Sequence, residues 1–120
     1  MILWIASLIL VLGGVVWLIK TPGKPGKLDS FATCIKDSGA LFYGAFWCPH
    51  CQNQKALFGS SAKLLPYIEC STPDGKGQVP ACTEAGVEGY PTWKFPSGVV
   101  KTGEIPLVTL AELTQCPLPQ

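Results

Sequence analysis

Residues Ile2 to Ile19 read ILWIASLILVLGGVVWLI, a run without one charged side chain. At ~1.5 Å per residue, about eighteen residues of helix reach roughly 27 Å, close to a ~30 Å hydrocarbon core. Trp4 and Trp17 stand near its two ends, where indoles favour the headgroup region, and Gly13-Gly14 is tolerable in lipid. A cleaved leader is the competing reading, but no basic region precedes the run and the exit Trp17-Leu18-Ile19-Lys20 lacks small residues. The expectation is a single transmembrane anchor over 1–20. Thr21 to Lys27 (TPGKPGK) follows as a solvated spacer, and a folded domain is expected over 28–120.

Orientation is contested by two signals. Lys20, Lys24 and Lys27 all follow the span, which by the positive-inside rule draws the domain into the cytoplasm. Six Cys in the chain suit an oxidising compartment instead. The chemistry of the motif below tips the reading toward an extracytoplasmic domain.

Within the domain, Asp29 reads as an N-cap, with Leu28, Phe31, Cys34 and Ile35 on one helical stripe and Gly39 as the stop. The run 40–46 (ALFYGAF) suits a buried strand. A helix over 52–58, a strand within 64–70 and a turn-rich loop over 71–77 come next. A short helix over 80–85 precedes two strands at 92–95 and 99–102 around Pro96-Ser97-Gly98. A last helix over 107–114 begins behind Pro106. The order α-β-α-β-α-β-β-α gives an α/β fold: one mixed sheet covered by helices on both faces.

Between the first strand and the second helix stands Cys48-Pro49-His50-Cys51. A cysteine at a helix N-terminus meets unpaired N–H groups and the positive end of the dipole, a setting that can lower a thiol from ~8.5 into the range ~3.5–7.5. Pro49 fits the first helical position, where its missing N–H costs nothing. Cys51 lies one turn along, deeper and better shielded. Cys48 is therefore the candidate nucleophile and Cys51 the resolving thiol, with His50 tuning the balance between thiolate and disulfide. Gln52 stands where a c-type haem site needs His, and a second C-x-x-C for zinc is missing, so no metal and no bound cofactor is expected. His50 is the only histidine, which removes hydrolase constellations elsewhere. With nine Lys, no Arg and a net charge of +1, nucleic acid is not an expected partner. Of the aromatics, Trp93 and Phe46 suit core packing, whereas Trp47 suits exposure beside Cys48.

These residues resemble a family. Phe46-Trp47-Cys48-Pro49-His50-Cys51 behind an apolar strand, with Tyr90-Pro91-Thr92 downstream, is similar to the thioredoxin superfamily. YGAFWCPHCQNQKALFG (from Tyr43), LLPYIECS (from Leu64) and GYPTWKF (from Gly89) most resemble the thioredoxin-like domain fused to bacterial vitamin K epoxide reductase homologues. The tetrapeptide also looks like that of a periplasmic disulfide oxidase. The likeness runs from about Leu28 to Thr114. It implies a thioredoxin-like mixed sheet, here lacking the first strand. It also implies a cis Pro91 facing the active pair, with Tyr90 offering its backbone to a client chain and Trp47 and Pro49 beside it. A Cys70–Cys82 disulfide belongs to the same implication, and a Cys34–Cys116 bridge is feasible in that topology.

The function so implied is thiol–disulfide exchange with protein thiols and disulfides, oxidising or, as a reductant in cytochrome or metal-site assembly, reducing. A copper- or client-binding module is the alternative. With a single anchor in place of the helical bundle, a quinone-linked membrane partner would be a separate protein. The chain departs from thioredoxins at Phe42, where they carry a buried Asp, so the proton acceptor for Cys51 is open between Glu69 and water.

Overall fold

A computed structural model describes residues 26–119 of the chain. The span expected over 1–20, and all but the last two residues of the spacer, lie outside the described residues. Among the described residues no helix is long and apolar enough to cross a membrane.

Helix α1, Asp29–Asp37, buries Phe31, Ala32 and Ile35. Its start corrects the sequence reading: Leu28 holds the cap position and Asp29 is already helical. The Asp29 carboxylate is engaged elsewhere, accepting the Gly26 N–H at 2.9 Å and the Ser61 hydroxyl at 2.8 Å. Ser61 in turn accepts the Leu28 N–H at 3.1 Å, so chain entry and a later segment are tied together. Gly39, at φ +90°, makes the left-handed turn into the first strand that the sequence placed there.

Strand β1, Leu41–Gly44, is shorter than the apolar run suggested, because the chain turns at Ala45 to reach the next helix. It pairs in parallel with β2, Tyr67–Glu69, and antiparallel with β3, Thr92–Lys94, which pairs antiparallel with β4, Val100–Thr102. The sheet order is β2-β1-β3-β4. Register places Tyr67, Phe42 and Trp93 side by side across three strands. Phe42 meets Tyr67 edge-on at 5.1 Å and stacks on Trp93 at 4.5 Å between centroids, an aromatic ladder that locks the centre of the sheet.

Alternate strand residues face opposite sides. Phe42 faces the larger core with Phe31 and Ile35 of α1, Cys51 of α2 (Pro49–Ala56) and Leu110 of α4 (Leu107–Thr114). Tyr43 faces a smaller one with Cys70, Val87 and Cys82 of α3 (Pro80–Glu84). Helices thus cover both faces of a mixed α/β sheet, an arrangement consistent with a thioredoxin-like fold.

Two features differ from the sequence reading. Helix α2 begins at Pro49, the first helical position that the motif gave it, and so reaches further back toward Cys48 than the 52–58 segment. A 3-10 helix, Gly59–Leu64, follows it and buries Ser61. Two disulfides close the fold, Cys34–Cys116 and Cys70–Cys82.

Candidate active site

The end of β1 delivers the chain to α2 through a tight turn in which the Cys48 N–H donates to the Ala45 carbonyl at 3.0 Å. Cys48 is the N-cap of α2 with extended backbone, and its own carbonyl accepts the Gln52 N–H at 3.1 Å. No side chain caps this helix, so its leading N–H groups gather around the position from which the Cys48 side chain departs. Pro49 opens the helix. Cys48 and Cys51 are the two free cysteines among the described residues.

Both residues are enclosed, Cys48 at 5% exposed and Cys51, as expected the deeper, at 1%. The covering group is the Tyr90-Pro91 segment. Its peptide bond is cis, Pro91 is fully buried, and the Cys48 thiol donates to the Tyr90 carbonyl at 3.6 Å. Cys48, Cys51, Pro91 and the Tyr90 backbone, four residues named from sequence for one site, are therefore brought together.

Trp47 is 48% exposed and lies edge-on to Tyr90 at 5.8 Å, with its indole N–H donating to Ser71 Oγ at 2.9 Å. Phe46 corrects the expectation of core packing, being 48% exposed. Its backbone is captured on both sides, the N–H by Glu69 at 3.1 Å and the carbonyl by the Gln52 amide at 3.0 Å, and that hold turns the ring to solvent. Gly75 of the 71–77 loop approaches both rings: a Cβ there would lie 3.6 Å from the Trp47 ring and 3.8 Å from that of Phe46.

His50 is turned toward Glu104, its Nδ1 2.7 Å from the carboxylate. A carboxylate only accepts, so Nδ1 carries the hydrogen and Nε2 is left for other partners. Cys51 is the strongly perturbed thiol. Burial pushes it up to about 12; the neighbouring Cys48 adds to the rise, while the Ala45 main chain and the Lys55 ammonium act the other way. Tyr67 is also raised, by burial first and then by Glu69.

Sequence reasoning missed two supports of this site. Gln54 is fully buried on α2; its carbonyl accepts from the Ile105 N–H at 2.7 Å and from the Trp93 indole at 3.3 Å. Its NH2 donates to the Ile105 carbonyl at 2.9 Å. Glu104 precedes that clamp and so meets His50. The only trace in sequence was that Gln54 is three residues beyond Cys51, on the same helical face. Among the described residues no group of three or more His, Cys, Asp or Glu is placed to hold a metal.

No family model matches the chain. It is 47% identical over 96 residues to a protein of Arabidopsis thaliana named Thiol-disulfide oxidoreductase LTO1. The matched stretch takes 76% of this chain and 25% of the relative. This chain is similar to one part of a thiol–disulfide oxidoreductase. It spans about a quarter of that curated relative's length. Together with the mixed four-stranded sheet, the similarity supports a thioredoxin-like domain.

Proposed function

We propose that this protein is a thiol–disulfide oxidoreductase acting on protein thiols and disulfides, tethered to a membrane by residues 1–20 with residues 28–120 on the extracytoplasmic side. The observation that carries the chemistry is the free Cys48 thiol at an uncapped helix start, 3.6 Å from the carbonyl that precedes cis Pro91. Similarity to a relative named for this activity points the same way.

In the reducing direction, the Cys48 thiolate attacks one sulfur of a client disulfide. A Cys48–client bond forms, the client S–S bond breaks, and the second client sulfur leaves as a thiolate that takes a proton from solvent. Cys51 then attacks Cys48 Sγ, closing the Cys48–Cys51 disulfide and releasing the second client thiol. Oxidation of a client dithiol runs through the same steps reversed. The Tyr90 carbonyl offers an extended client chain a backbone partner, Trp47 and Pro49 flank it, and His50 biases Cys48. The tetrapeptide leans toward oxidation, with a separate quinone-linked membrane protein removing the electrons. The dithiol carries those electrons without a bound cofactor.

The test is capture. Cys51→Ser in the full chain should accumulate mixed disulfides between Cys48 and client proteins that dissolve on reduction. A Cys51→Ser chain that captures nothing, and whose Cys48 alkylates no faster than an ordinary thiol, contradicts the proposal. A reporter fused at the C-terminus, active only outside the cytoplasm, decides the orientation.

A further inference from the structure

Resolution requires Cys51, the more buried sulfur of the pair, to become a thiolate. Thioredoxins keep a buried Asp near this point, but here the aligned position is Phe42, committed to the aromatic ladder. What lies beside Cys51 instead is a cation. Lys55 is four residues further on α2, on the face that carries Cys51. Its Nζ sits 3.6 Å from the centroid of the Tyr67 ring. The ring edge and the sulfur converge on the bare backbone of Gly44: a Cβ there would lie 2.7 Å from Tyr67 Cε2 and 3.1 Å from Cys51 Sγ. Ammonium, ring and thiol are therefore contiguous. Tyr67 is itself fixed, its hydroxyl donating to Glu69 Oε1 at 3.1 Å, while Glu69 Oε2 accepts the Phe46 and Ser71 N–H groups at 3.1 Å each.

We propose that Lys55, seated on the face of Tyr67, is the positioning residue that stabilises the charge developing on Cys51 Sγ as the mixed disulfide is resolved. This deepens the function proposed above and rests on it. In that step the Cys51 S–H bond breaks and its proton goes to solvent water. The Cys51–Cys48 bond forms as the Cys48–client bond breaks, and the electron pair leaves on the client sulfur, which is then protonated from solvent. In the opposite direction Cys51 is the leaving group and carries the same charge, so one ammonium serves both directions.

The raised titration of Cys51, caused first by burial, agrees with a thiol that is neutral at rest. Lys55 then acts on the transition state and not on the resting dithiol, so it sets the rate of resolution without moving the redox equilibrium at neutral pH. The charged and titratable groups facing Cys51 are Cys48 at the head of α2 and Lys55, with Tyr67 packed between; Glu69 on β2 acts on Tyr67, and Lys63, on the 3-10 helix, stands beside Lys55 and Tyr67 along one depression.

The test uses reduced full-length chain mixed with a bis-nitrobenzoate disulfide, whose thiolate is coloured on release. The first phase reports attack by Cys48 and the second reports resolution by Cys51. Lys55→Met should leave the first phase within about twofold and slow the second by about tenfold, since one nearby charge shifts thiolate formation by roughly one pH unit. Its second phase at pH 9 should then match the parent's at pH 8. Lys55→Arg should restore most of the rate, and the equilibrium with glutathione should be the same in all three proteins. An unchanged second phase in Lys55→Met, an Arg variant as slow as Met, or an equilibrium that moves with the rate each overturns the role of Lys55 alone. A parent protein with no first phase overturns the proposed function and this inference with it.

Discussion

Cys48 and Cys51 share one helix, whereas Cys34–Cys116 and Cys70–Cys82 join elements separated by 82 and 12 residues. Burial does not separate the two settings, since Cys51, Cys70 and Cys82 are all enclosed. Position on the backbone does. Cys48 leaves the chain at an uncapped helix start and faces the Tyr90 carbonyl. Cys34 lies inside α1, and Cys116 follows the left-handed turn at Gln115 that ends α4. Cys70 ends the sheet's β2 edge, and Cys82 is held in α3 beneath Tyr43. The same side chain is a staple where its surroundings only pack, and a reagent where they offer N–H groups and a passing backbone.

Exchanging residues between the two settings breaks this contrast most sharply. Cys48→Ser should lower disulfide exchange by about a thousandfold or more while unfolding shifts little, which an insulin-reduction assay and a urea titration check together. The Cys34→Ser/Cys116→Ser pair should do the reverse, keeping exchange in folded protein but costing about 4–5 kcal/mol by loop-closure entropy over so long a loop. The Cys70→Ser/Cys82→Ser pair, closing a far shorter loop, should cost about 3 kcal/mol in the same titration. Its loss should also loosen the 71–77 loop that holds Trp47, seen as a change in indole fluorescence.

Gln54→Ala should cost about 2–3 kcal/mol, because the Ile105 backbone groups and the Trp93 indole lose buried partners. It should also release Glu104 from its place beside His50.

A pH effect of comparable size tests the same contrast. Cys51 is raised from 9.0 to about 12, so above pH 9 the unfolded chain gives up a proton that the folded dithiol keeps. Stability of the reduced form is then fully present below pH 9 and falls between 9 and 12, by up to about 1.4 kcal/mol per unit. Tyr67 adds a loss of the same sign above 10, but it does so in both redox forms. The difference between reduced and oxidised protein removes the Tyr67 contribution, and the reduced Cys51→Ser protein should lose the part of the fall that comes from Cys51.

Much of the fold was legible because its signals were local. Gly39 and Gly98 take positive φ at the helix stop and the strand-to-strand turn where the sequence placed them, and Pro49 and Pro106 stand at helix starts. The run from Leu41 and the segment around Thr92 showed themselves as strands through apolar and β-branched residues. What escaped depends on partners distant in sequence. Gln54 read as one more polar helical residue, yet it pairs with a backbone 51 positions away. Asp29 read as a cap because nothing local revealed Ser61. The segment 59–64 (GSSAKL) carries no apolar period, so its 3-10 turn was invisible. At the site, Cys48 and Cys51 were legible from motif and spacing, and the Tyr90-Pro91 segment through the resemblance to thioredoxins. Glu104, Lys55 and Tyr67 were not, since their roles come from approach across elements.

The most direct measurement is a redox titration of the full chain against glutathione buffers, with each cysteine's state read by differential alkylation and mass spectrometry. The account predicts that Cys48 and Cys51 change state together and reversibly, at a potential between about −270 and −120 mV, while the other four stay bonded throughout. If Cys48 and Cys51 resist the buffer as Cys70 and Cys82 do, or if all three pairs open together, the division of labour among the cysteines is wrong.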